Sequence, residues 1–292
     1  MGSEDIAVLK NQVARLNGEG KYKEAIPLLE KATELTKQIL GGSPKEYAAI
    51  LNELGGLYRL TADYHRSELA FTRAMKALEE SRGGEHPDYA TTINNLAGLY
   101  RLTGDYPRAE QLFNEAVDIY AKTVGRRHFL YASALNNLGL LYQDMGNPDR
   151  AEALHREALE VVFDLEGKSV AYATSLSNLA NLCRQSKKYD EAEGLLLEAL
   201  EIYGHTVGKR NPLYASGLNS LAALYYSTGD YARAESLYLE VLDFYKRVFG
   251  TNHPDYASIL TSLALVYEKL DNKVRAEEYR RQAQNIRGQT RT

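Results

Sequence analysis

Apolar residues along this chain recur with a helical period. Between residues 93 and 100, Ile93, Leu96, Ala97 and Tyr100 fall at i, i+3, i+4 and i+7, which is one face of an α-helix. Thr103-Gly104-Asp105-Tyr106-Pro107 then breaks the pattern. A second stripe, Ala109, Leu112, Phe113, Ala116 and Ile119, predicts a helix that starts near Pro107, whose fixed φ suits a first turn. That helix ends at Gly125, because glycine takes the left-handed position past a helix end without a Cβ penalty. The pattern thus predicts a helical hairpin.

The hairpin is repeated. Tyr-Ala occurs at Tyr47-Ala48, Tyr89-Ala90, Tyr131-Ala132, Tyr172-Ala173, Tyr214-Ala215 and Tyr256-Ala257, giving successive periods of 42, 42, 41, 42 and 42 residues. Gly41, Gly83, Gly125, Gly167, Gly208 and Gly250 keep the same phase. So does a small residue followed by Glu, at Ser67-Glu68, Ala109-Glu110, Ala151-Glu152, Ala192-Glu193, Ala234-Glu235 and Ala276-Glu277. Small residues on first helices (Gly55, Ala97, Gly139, Ala180, Ala222, Ala264) are expected to face these small residues, so that the helix backbones approach closely. The linkers Glu85-His86-Pro87-Asp88 and Asn252-His253-Pro254-Asp255 place an Asp to cap the next helix. The fourth and fifth units begin after Leu130 and Ala171 instead. A lone hairpin cannot bury its apolar face, so the units are expected to stack on one continuous core.

The pattern Leu96-Ala97, Tyr100, Ala109, Phe113 and Ala116 resembles the tetratricopeptide repeat (TPR), whose usual unit is ~34 residues. The longer period, the first helix around Asn94-Asn95-Leu96-Ala97 and the His-Pro-Asp-Tyr-Ala linker resemble the repeats of kinesin light chains and related proteins. The resemblance implies an all-α, right-handed superhelical α-solenoid of about seven helix-turn-helix repeats, forming a single domain over residues 1–292. The repeats are approximately 5–46, 47–88, 89–130, 131–171, 172–213, 214–255 and 256–287, with a tail at 288–292. The first is degenerate, with Leu9, Leu16, Tyr22 and Ala25 in phase.

The resemblance also implies that first helices line a concave groove. If Ile93, Leu96, Ala97 and Tyr100 are buried, then Thr91, Asn94, Gly98 and Arg101 lie on the adjacent exposed face. Stacking gives a polar ladder of Asn52, Asn94, Asn136, Ser177, Asn219 and Thr261, with Glu53, Asn95, Asn137, Asn178, Ser220 and Ser262 beside it. A row of asparagine amides can donate to and accept from a peptide backbone with little regard to its sequence. One turn on, the ladder reads Arg59, Arg101, Gln143, Arg184, Tyr226 and Glu268, with Arg66 and Arg108 near the starts of second helices. Arginine offers paired donors to a carboxylate, so a peptide with acidic residues is the expected ligand, and Tyr226 is an aromatic anchor. The other reading stays open: the asparagines serve helix–helix contacts, and Arg59 and Arg101 are paired by neighbouring acids.

Composition adds exclusions. The chain has 292 residues, 44% hydrophobic and 25% charged, as a foldable chain does, with a net charge of −4 and no basic stripe. Neither a nucleic acid nor an anionic membrane is therefore expected as a partner. The one cysteine, Cys183, stands where other repeats have an inward tyrosine and reads as a buried thiol; it rules out an intrachain disulfide and fits a cytoplasmic location. Met1-Gly2-Ser3 suggests a cloning remnant on a fragment of a longer protein. His86, His128 and His253 share one linker position and read as turn or cap residues rather than metal ligands; His65, His155 and His205 are isolated. No HExxH, phosphate-binding glycine loop, CxxC or serine-nucleophile motif occurs, so no catalytic residue, metal or cofactor is expected. The expected function is a non-enzymatic adaptor that binds a peptide or short helix, with possible weak self-association through the solenoid ends. The alternative is a regulatory or sensor arm that packs on an effector domain of a larger signalling protein.

Overall fold

The structure, a computed structural model, describes residues 2–18, 20–39, 44–251 and 253–289. Among the described residues every regular element is an α-helix: α1 (Gly2–Gly18), α2 (Tyr22–Ile39), α3 (Pro44–Leu60), α4 (Tyr64–Arg82), α5 (Pro87–Thr103), α6 (Tyr106–Thr123), α7 (Phe129–Asp144), α8 (Pro148–Glu166), α9 (Val170–Gln185), α10 (Tyr189–Thr206), α11 (Pro212–Thr228), α12 (Tyr231–Val248), α13 (Pro254–Lys269) and α14 (Lys273–Gln289). Taken in pairs they make seven helix-turn-helix repeats, as the period predicts. The Tyr-Ala mark lies near the start of each first helix from α3 onward, so repeat borders drawn at that mark cut through the helices.

The chain divides into two compact units, Met1–Val161 and Val162–Thr292, with the division inside α8. In the first unit α3 packs on α4 and α5 on α6; each second helix meets the following first helix, and α3, α5 and α7 lie side by side. In the second unit α9 pairs with α10, α11 with α12 and α13 with α14, while α9 also packs on α11. Ile93, Leu96, Ala97, Tyr100, Ala109, Phe113, Ala116 and Ile119 are buried, as their periodicity requires. The predicted close approach of small residues is seen where Ser67 Oγ donates to the Gly55 carbonyl at 2.8 Å. A Cβ on Gly55 would come within 2.7 Å of Phe71 Cε1, so the glycine also makes room for a ring one turn on.

Turn chemistry follows the repeat. Gly83, Gly125, Gly167, Gly208 and Gly250 all take positive φ after second helices, while Gly41 lies outside the described residues. A second in-phase turn position, within the hairpin, is Gly20, Ala62, Gly104, Gly146, Lys187, Gly229 and Asp271; all seven have positive φ. The linker caps correct one expectation. His86 and His253, not Asp88 and Asp255, are the N-caps, and His128 is one likewise, each Nδ1 accepting a backbone N–H two residues on. Asp88 and Asp255 fall in the first helical turn instead, where a carboxylate is favoured by the positive end of the helix dipole. The fourth and fifth first helices begin at Phe129 and Val170, capped by His128 and Ser169.

The small-Glu mark has a further cause. Tyr100 Oη donates to Glu68 at 2.7 Å, and the Arg108 guanidinium lies 4.2 Å from the Tyr100 ring centroid. The same tyrosine, glutamate and arginine recur as Tyr142, Glu110 and Arg150, as Tyr225, Glu193 and Arg233, and as Tyr267, Glu235 and Arg275. At Tyr58 the acceptor is Glu30, because Ile26 holds the in-phase position. Each triad ties a first helix to the second helices on either side of it. Arg66 and Arg108 are therefore engaged within the protein, each also pairing with its helix-capping Asp63 or Asp105. In the fifth repeat Cys183 and Glu191 stand at the tyrosine and arginine positions, and the Cys183 thiol is buried.

Candidate functional site

The polar stripe on the first helices is half-buried, because these helices pack side by side within each unit. In the first unit Asn52 Nδ2 donates to Thr92 Oγ1 at 2.8 Å, while its Oδ1 is buried without a hydrogen-bond partner. Asn137 Nδ2 donates to Asn94 Oδ1 at 3.3 Å. Asn136 Oδ1 lies 2.8 Å from Nδ1 of the buried His155. These ladder residues thus bond to neighbouring helices. Asn95 is half-buried and makes no hydrogen bond among the described residues, and the same holds for Asn178 and Asn219 in the second unit. Gln143 is half-buried in the first unit. In the second unit Asn181, which lies outside the ladder expected from sequence, donates to Ser220 Oγ at 3.3 Å.

The arginines differ from one another. Arg101 Nη1 donates to Asp144 at 2.6 Å, in the next first helix. Arg184 Nη1 donates to Ser227 at 3.3 Å across the equivalent interval, although its Nε is buried without a partner. Both partners stand 43 residues after their arginine, and the residue 43 after Arg59 is Leu102. Arg59 pairs with no carboxylate among the described residues. Its Nη1 lies across α5, where a Cβ on Gly98 would come within 3.2 Å. Burial, and after it the charge of Arg101, lowers the pKa of Arg59 below the usual arginine value. The result is a half-buried cation beside a second cation, with no anion of its own. A 43-residue comparison along the sequence is the signal that finds it.

In the second unit Tyr226 is half-buried, with its ring edge-on to Tyr231 at 5.6 Å. Glu268, read as an acidic end of the ladder, is paired with Arg280. Among the described residues no helix is long and apolar enough to cross a membrane. No group of three or more His, Cys, Asp or Glu among them is placed to hold a metal ion.

Stacked helical hairpins with a polar first-helix face define a protein of the interaction-repeat class. The tetratricopeptide repeat profile matches residues 5–80, 46–122, 130–204 and 213–289, and the chain belongs to that family. No protein of curated function matches the sequence. Among solved structures, BtubC (BKLC) from P. vanneervenii is 27% identical over 78% of this chain and 92% of its own, with a TM-score of 0.64. A Podosopora anserina protein described as kinesin light chain-like, with nearly identical TPR-like repeats, is 23% identical over 70% of this chain and 98% of its own, with a TM-score of 0.59. A Rap protein complexed with competence and sporulation factor is 15% identical over 99% of this chain and 76% of its own, with a TM-score of 0.75. The last two likenesses speak for the fold alone. The family supports a role in protein–protein interaction.

Proposed function

We propose that this chain is a non-enzymatic, cytoplasmic adaptor that binds an acidic peptide or short helix of a partner protein on the polar face of its first helices. One observation carries the reading: Arg59 is a half-buried guanidinium beside Arg101 with no carboxylate of its own. An isolated charge away from water is unfavourable unless it is paired, and a ligand carboxylate supplies the missing partner. Asn95 of the same unit has amide groups free to meet a peptide backbone. In the second unit Arg184, with its unpartnered Nε, and Asn178, Asn219 and Tyr226 are the corresponding contacts. The Rap neighbour is complexed with competence and sporulation factor, which supports ligand binding by this architecture. We further propose that the seven repeats act as one domain, since the repeat phase runs through α8 without a linker.

The test is capture from lysate of the native host by the parent chain and by Arg59→Gln, which removes the charge and keeps a polar side chain. A protein held by the parent and reduced at least tenfold by the variant supports the site. Identical captures by both chains overturn it.

A further inference from the structure

Repeats expose function where one copy departs from the rest at a cost. At the last turn of the second helices, Ser81, Thr123 and Thr206 share one position, and each hydroxyl bonds back to a carbonyl of its own helix. The fourth repeat has Leu165 there, 44% exposed and followed by Glu166, whereas the sixth has Val248, 51% exposed, followed by a second apolar residue, Phe249, 44% exposed. Exposing two adjacent apolar side chains, where the second to fifth repeats have at most one apolar residue of the two, is unfavourable in water, and contiguous exposed apolar surface marks interaction sites. The Phe249 ring is fixed in place, 4.8 Å from His253 and 5.4 Å from Tyr245. Next to it Phe244 and Val248 line a concavity of about 440 Å³. Lys209 and Arg210, from the α10–α11 linker, form part of its wall, and the paired Asp243 and Arg247 another part.

We propose that this edge of the second unit is a second protein-docking site, separate from the first-helix face. Its occupant is a partner segment that presents an aliphatic or aromatic side chain with a carboxylate beside it. The apolar side chain enters the concavity against Phe244 and Val248 and covers Phe249. The carboxylate meets Lys209 and Arg210, neither of which pairs with a carboxylate among the described residues. Glu240 is also in the wall and repels a carboxylate placed beside it, so the ligand carboxylate is held by the linker cations. Concavity favours a side chain over a lipid surface, which needs apolar groups that protrude. The rigid aromatic setting limits the ordering that binding requires.

A random dodecapeptide library displayed on phage, selected on the full chain, tests this. Three variants serve as comparisons: Val248→Ser/Phe249→Ser, Lys209→Glu/Arg210→Glu and Arg59→Gln. The expected result is a family of peptides with an apolar residue next to Asp or Glu, whose affinity falls at least tenfold in each of the first two variants and is unchanged in Arg59→Gln. The linker variant keeps the test valid if the apolar one folds poorly. Peptides without acidic residues, peptides indifferent to both edge variants, no selected peptides at all, or sedimentation with phosphatidylserine vesicles that the edge variants abolish would each overturn the proposal. Loss of binding only in Arg59→Gln would place the peptides on the first-helix face and leave the edge without a role.

Discussion

His155 Nδ1 lies 2.8 Å from Asn136 Oδ1, so a core residue of α8 holds a ladder residue of α7. His155 is fully buried at the position that Phe71 and Phe113 occupy in other repeats, and a Cβ on Gly139 would come within 2.9 Å of its ring. As a neutral imidazole it donates from Nδ1–H to the amide oxygen, and Nε2 stays without a partner. Burial lowers its pKa to about 4 from the ordinary 6.5. Between those values the unfolded chain binds a proton that the folded chain does not, so folding stability falls as pH drops from about 6.5 to about 4. The loss is on the order of 3 kcal/mol. His155→Phe restores the repeat's aromatic and removes this dependence. Thermal melting of both proteins between neutral pH and pH ~4.5 should show the parent losing more stability; parallel curves would refute the assignment.

The Tyr100, Glu68 and Arg108 triad predicts the opposite dependence at high pH. Burial, and then the hydrogen bond to Glu68, raises the Tyr100 pKa to about 12 from 10.0. The folded chain therefore keeps a proton that the unfolded chain loses, and stability declines as pH rises from 10 towards 12. Tyr58, Tyr131, Tyr245 and Tyr267 are raised in the same way, so several tyrosines contribute. Tyr100→Phe removes the hydrogen bond while keeping the ring under Arg108, at a cost of about 1 kcal/mol near neutral pH. Urea midpoints and phenolate absorbance during alkaline titration measure both effects. Ordinary titration of all the tyrosines near pH 10 would show that the triads do not form.

The hairpin turns offer a test that needs no tertiary contact. Gly104 has φ +83 and open space where a Cβ would stand. Gly104→Ala should therefore destabilise through backbone strain alone, by about 1 kcal/mol. Ala62, Lys187 and Asp271 already bear that strain at the same repeat position, with φ of 62, 61 and 56. Lys187→Gly should raise stability by several tenths of a kcal/mol, the gain being limited by glycine's greater freedom in the unfolded chain. Adding Lys188→Asp should contribute about 1 kcal/mol more, since Lys188 is the N-cap of α10 and makes no side-chain cap hydrogen bond. Unchanged melting of the Lys187→Gly/Lys188→Asp double variant would contradict both assignments.

The repeat made the fold readable from sequence: Tyr89-Ala90, Gly125 and Ala109-Glu110 each mark a position that packing or backbone geometry restricts in every copy. The second turn position was hidden because Ala62, Lys187 and Asp271 interrupt its glycines. The candidate site was readable as a face but not as a set of free groups. Whether an exposed-looking polar residue is available depends on a partner about one repeat away, and helical periodicity carries no information at that range. Asn94 and Asn137 look equivalent to Asn95 in sequence, yet they bond to each other and Asn95 bonds to neither. His155 looked isolated because nothing near it in sequence anticipates Asn136, 19 residues earlier.

That distinction separates two arginines at the same repeat position. Arg101 is paired with Asp144 at 2.6 Å, and both side chains are partly exposed. Arg101→Glu removes the pair and sets two carboxylates together, so it should lower stability by about 0.5–1 kcal/mol, as expected for a partly exposed ion pair. Lost binding by that variant would therefore not isolate a role in recognition. Arg59 has no such partner and lies near the charge of Arg101, so removing its charge relieves repulsion. Arg59→Gln should leave stability unchanged or raise it by a few tenths of a kcal/mol, since residues held for binding often sit at some cost to stability. Chemical denaturation of the two single variants beside the parent gives both values. A marked loss of stability in Arg59→Gln would mean that its guanidinium supports the fold, and the case for a ligand carboxylate at that position would fail.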